Sequence, residues 1–76
     1  MTLLYRVGYY SLSDGGYQYL LLDTTSREEA EELALLHDYV GQIITIDFVE
    51  ISDVWTIEQA RLKTECLRVR KSLIRN

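Results

Sequence analysis

The chain reads as one small α+β domain with element order ββαβα. Two β-type segments flank a Ser-Asp-Gly-Gly turn, two later segments open on capping residues and carry helical spacing, and one β-branched run lies between them. At 76 residues the chain makes a single core that buries only about 60% of the unfolded surface, so burial against a partner or a second copy would add to its stability. We divide the single domain 1–76 into a ββαβ body, 1–55, and a C-terminal helix, 56–76.

Leu3 to Leu12 is rich in Tyr, Val and Leu, and Tyr17 to Thr24 resumes that composition. Ser13-Asp14-Gly15-Gly16 between them tolerates positive φ, so the two segments form a hairpin. Ser26 with Glu29 then fits a capping box that opens a helix from about Arg27 to Val40. Glu28, Glu29, Glu31 and Glu32 complement the dipole at its start, and Gly41 stands where a left-handed C-terminal cap is wanted. Three-and-four spacing puts Ala30, Leu33, Ala34, His37 and Val40 on the stripe that faces the sheet. Leu35 and Tyr39 lie on another face beside Glu28, Glu31 and Glu32, as an apolar ridge with an acidic border.

Gln42 to Ile51 forms the third strand, with Ile44, Ile46 and Phe48 on one face and Ile43, Thr45, Asp47 and Val49 on the other. If this strand lies beside the first, the order is 2-1-3, the three-stranded sheet is antiparallel and the first helix crosses one face. Thr56 with Gln59 makes a second capping box, opening a basic amphipathic helix from about Ile57 toward Ile74.

That last helix carries more apolar surface than one contact can cover. Ala60, Leu67 and Ile74 fall on one line, and Leu62, Cys66, Val69 and Leu73 on a second. A surface helix normally shows one apolar band, so the second line implies a partner or a second copy of the chain, unless the hairpin wraps a wide face. Arg61, Arg68 and Arg75, with Lys71 beside them, form a basic stripe.

Charge is divided by position. Residues 1 to 60 hold eleven acids and two bases, whereas residues 61 to 76 hold six bases and one acid, so the body is near −9 and the tail near +5 within a net −4. The stripe has the forked donors that grip phosphate. An acidic body repels nucleic acid, however, so pairing with carboxylates is the expectation and direct nucleic-acid binding the minor one. Tyr5, Tyr9, Tyr10, Tyr17 and Tyr19 offer rings for stacking on bases, but tyrosine in a hairpin is first an aromatic cross-strand ladder.

The catalytic inventory is thin. His37 is the only histidine and is expected in the core, Cys66 is expected as inert packing on an apolar helix face, and Asp47 is expected at a solvent-facing position. No metal ligand set, phosphate loop or cofactor motif is present, so no enzyme, metal or cofactor is expected. A lone cysteine and the lack of a long apolar run point to a reducing, cytoplasmic setting, with no leader and no membrane partner.

The stretch Leu22-Asp23-Thr24-Thr25-Ser26-Arg27-Glu28-Glu29-Ala30-Glu31-Glu32-Leu33-Ala34, followed by Ile43-Ile44-Thr45-Ile46-Asp47-Phe48-Val49-Glu50, resembles the strand, capped acidic helix, strand unit of small phage-encoded inhibitors. Anti-CRISPR proteins and the small RNA polymerase inhibitors of T7-like phages are among them. The resemblance is one of residue types over about thirty residues, and the long basic helix departs from it, so no site residue is carried over. It implies a non-enzymatic protein of a bacterial host cell that blocks a nucleic-acid-handling complex, a CRISPR effector or an RNA polymerase subunit, by occupying a surface. The acidic face that would do so is Glu28, Glu31, Glu32, Leu35, Asp38 and Tyr39. The alternative is an assembly module that dimerises through Leu62, Cys66, Val69 and Leu73.

Overall fold

A computed structural model describes residues 1–74 of the chain. Its elements are β1 (Thr2–Ser11), β2 (Tyr17–Leu22), α1 (Arg27–Leu35), β3 (Val40–Ile51) and α2 (Val54–Ile74). The strands form one antiparallel sheet in the order β2-β1-β3, as the sequence predicts. Gly15, at φ 73°, makes the hairpin turn, and the Asp14 carboxylate accepts the Gly16 N–H at 2.8 Å.

Strand alternation sends Tyr5, Val7 and Tyr9 of β1 to one face, where they meet Leu20 and Leu22 of β2 and Ala30, Leu33 and Ala34 of α1. Leu67 of α2, only 2% exposed, completes this core, so the C-terminal helix folds back on its own body against β2 and α1.

Four local expectations are corrected. Helix α1 stops at Leu35, not Val40, because the chain tightens: Leu36 N–H donates to the Leu33 carbonyl and His37 N–H to that of Ala34. The His37 Nδ1 then accepts the Tyr39 N–H at 3.2 Å, and β-branched Val40 enters the sheet opposite Ser11. Gly41 is therefore a strand residue and no left-handed cap; a Cβ there would sit 2.7 Å from the Tyr10 carbonyl oxygen. Second, β3 slips register between the pairs Gly8/Thr45 and Tyr9/Ile43, which leaves Ile44 as an extra residue. Ile43 thus joins Ile46 against the core while Ile44 is exposed, contrary to a strict alternation of two.

Third, α2 begins at Val54, and its cap is Asp53 rather than Thr56. The Asp53 Oδ2 accepts both the Thr56 N–H at 3.2 Å and the Thr56 hydroxyl at 2.6 Å, bonds that hold its carboxyl below the ordinary range. Fourth, only half of the first capping box forms. Ser26 Oγ accepts the Glu29 N–H at 3.2 Å, but the Glu29 carboxylate turns to Thr24 and to Arg68 of α2.

Candidate functional site

The strongest unpartnered surface is the outer line of α2, and the reason lies in how the helix is seated. Its inner residues Ile57, Ala60, Thr64 and Leu67 are buried. Thr64 is the deepest polar group; its hydroxyl accepts the Asp23 N–H at 2.8 Å and donates to the Ala60 carbonyl at 2.7 Å.

Around this seam four basic residues of α2 engage the acidic body. Arg61 donates to Asp23 at 3.2 Å, and Arg68 to the Asp23 carbonyl at 3.2 Å and to Glu29 at 3.1 Å. Arg70 donates to the Leu36 carbonyl at 2.6 Å and to Asp38 at 2.9 Å, and Lys71 lies 3.1 Å from Glu32. The Thr24 hydroxyl, and after it Arg68, holds the Glu29 carboxyl below the usual carboxylate range. Each exposed pair contributes about 0–1 kcal/mol, so the set fixes the orientation of α2 more than it stabilises the fold. Arg61, Arg68 and Lys71 all have carboxylate partners in the same chain; Arg75 lies outside the described residues.

With its back and flanks engaged, α2 turns Leu62, Val69 and Leu73 outward at 59 to 70% exposure, with Cys66 also exposed between them. The hairpin does not cover this line. Cys66 is thus an accessible thiol, not inert packing. Of the first predicted line, Ala60 and Leu67 are buried but Ile74 is exposed. Trp55, 69% exposed and seven residues before Leu62, extends the outer line. Sequence reasoning missed it because the predicted helix began two residues later; its seven-residue spacing was the available signal.

The acidic face is less uniform than its composition implies. Glu28, Glu31, Glu32, Leu35, Asp38 and Tyr39 are all exposed, but Glu32 and Asp38 are paired with α2. Because α1 ends at Leu35, Tyr39 is not one helical turn above it; its ring lies 5.8 Å from that of His37 and its carbonyl accepts the Leu12 N–H. His37 is half-buried in this turn rather than in the core. Burial, and then Lys63, lowers its pKa.

The remaining surface is the open sheet face. Tyr5 and Tyr9 are buried on the core side, whereas Tyr10, Tyr17 and Tyr19 are exposed on the other. Arg6 lies over Tyr19 at 5.8 Å and pairs with Asp47 at 2.7 Å, so the exposed Asp47 is a partnered surface acid whose carboxyl is lowered. Among the described residues, no group of three or more His, Cys, Asp and Glu could hold a metal ion, and no helix is long and apolar enough to cross a membrane. No family model, curated protein or solved structure matches the chain.

Proposed function

We propose that this chain is a non-enzymatic protein-binding module of the cytoplasm that works by laying the outer line of α2 on another polypeptide. The observation that carries this reading is the run of exposed apolar side chains on the side of α2 opposite Ile57, Ala60, Thr64 and Leu67. Isolated exposed apolar residues are ordinary, but a continuous line of them on one helix marks an interaction surface. The test compares the wild-type chain with Leu62→Glu/Val69→Glu as immobilised bait in bacterial lysate. Loss of the retained proteins from the variant supports the reading; an unchanged set refutes it.

A second reading follows from α1. Glu28, Glu31 and Leu35 are exposed together, and among the described residues neither Glu28 nor Glu31 has an ion-pair partner. This free acidic end suits an inhibitor of the phage type, above all an anti-CRISPR, that occupies a basic nucleic-acid site on a CRISPR effector or an RNA polymerase. Glu28→Lys/Glu31→Lys spares the Glu32 to Lys71 pair and should abolish binding to such a purified complex. Unchanged affinity removes the acidic-face reading.

A further inference from the structure

We propose that the occupant of the outer line of α2 is a second copy of this chain, paired in parallel and in register; this rests on the protein-binding reading above. Trp55, Leu62 and Val69 recur at seven-residue spacing, and Gln59, Cys66 and Leu73 repeat four residues after them. These are the d and a positions of a heptad, over about 27 Å at 1.5 Å per residue. Ile57 and Thr64 then fall at f, diametrically opposite the seam, with Ala60 and Leu67 at the neighbouring b positions. All four are buried, so the body of each copy points away from its partner.

Charge complementarity selects the occupant and its direction. Glu58 and Glu65 fall at g on one flank of the line, and Lys63 and Arg70 fall at e on the other. In a parallel pair each g residue meets the e residue five positions further along the second helix, so Glu58 faces Lys63 and Glu65 faces Arg70 of the second copy. An antiparallel pair would set base against base and acid against acid. Among the described residues Glu58 and Lys63 have no ion-pair partner within the chain, so theirs is the pair that the dimer adds. Glu65 and Arg70 would share their present partners, Arg68 and Asp38.

Heptads this few do not hold isolated peptides together, because each helix must first be nucleated. Here α2 is already formed on its own sheet, and that obstacle is absent.

Light scattering from about 1 to 100 μM tests the proposal, since dimer population depends on concentration. The expected mass approaches twice 8.9 kDa as concentration rises. Leu62→Glu/Val69→Glu should return it to the monomer with an unchanged circular-dichroism spectrum. Glu58→Lys should raise the dimer Kd roughly tenfold, because the contact occurs twice in a two-fold pair and each becomes a repulsion, and adding Lys63→Glu should restore it, because the swap rebuilds both pairs with reversed sign. Parallel register sets the two Cys66 side chains against each other, so diamide, which takes up the two hydrogens of the two thiols, should link the wild type and not Cys66→Ser. A wild type that stays at 8.9 kDa, a dimer that survives Leu62→Glu/Val69→Glu, or a dimer that diamide does not link would each overturn the proposal. A monomeric result leaves the lysate comparison to decide separately whether α2 docks a different protein.

Discussion

Replacing Thr64 with Val isolates the hydrogen bond that ties α2 to the body. The two side chains have nearly the same volume, so the packing around a residue only 1% exposed is kept. What is lost is the acceptor for the Asp23 N–H, at 2.8 Å, and the donor to the Ala60 carbonyl, at 2.7 Å. The Ala60 carbonyl keeps its helical partner, whereas the Asp23 amide is left without its acceptor in a partly buried site. Leaving one donor unsatisfied costs about 1–3 kcal/mol. In a domain of this size each kcal/mol lowers Tm by about 4–8 °C, so a fall of at least about 4 °C is expected. Thr64→Ser supplies the control, because it keeps the hydroxyl and removes one methyl, worth about 0.8 kcal/mol. Thermal unfolding followed by circular dichroism, at one fixed protein concentration, should rank wild type above Ser and Ser above Val. A Val variant as stable as the wild type would show that the Asp23 amide has no need of the Thr64 hydroxyl.

Gly41→Ala and Gly41→Asn should both destabilise by about 1–3 kcal/mol in urea titrations, because either Cβ meets the Tyr10 carbonyl oxygen; a left-handed cap would tolerate Asn better than Ala, and that ranking would sink the close-approach account. Leu67→Ala should cost about 2–5 kcal/mol, a large share of the roughly 4–11 kcal/mol expected for a chain of this length, and chemical denaturation should show its midpoint falling steeply. Acid should also unfold the protein. The Glu29, Asp47 and Asp53 carboxyls are all lowered in the fold, so the unfolded chain protonates first; their stabilisation is complete above about pH 4–5 and is lost as pH falls through the lowered values. His37, lowered by burial, follows the same sign and removes a little stability as pH drops below about 6.5, until its folded form protonates too. Tm measured from pH 8 to pH 3 should therefore decline on acidification, with a shallower acid limb in Glu29→Gln; a rise would contradict both assignments.

The order of elements and the sheet topology were legible because they rest on composition over many residues: the hairpin turn at Asp14 to Gly16, the Ser26 cap and the β-branched run of β3. Single-residue features were not. Asp53 displaced Thr56 as the α2 cap because a carboxylate could take both the amide and the hydroxyl of Thr56, a choice that depends on loop geometry. The end of α1 was set by the pull of Val40 into the sheet, which helical spacing cannot register. The bulge at Ile44 exchanged two neighbouring isoleucines between faces, and nothing in an alternating apolar run marks where a strand will slip. At the candidate site, periodicity found both lines of α2 but not which would be covered. That was decided by tertiary contacts such as the bond of Thr64 to the Asp23 amide.

The slip in β3 also bears on how the molecule meets its neighbours. β3 spans twelve residues at the border of the sheet, where an unbroken ladder of free amides and carbonyls would invite a foreign strand to extend it. The unpaired Ile44 interrupts that ladder, and the Arg27 guanidinium occupies the Ile46 carbonyl at 2.8 Å, two residues along. Strand addition, the route to open-ended fibres, is discouraged on this border. Under the pairing proposed above, association goes instead to a helix whose two-fold geometry closes after two copies.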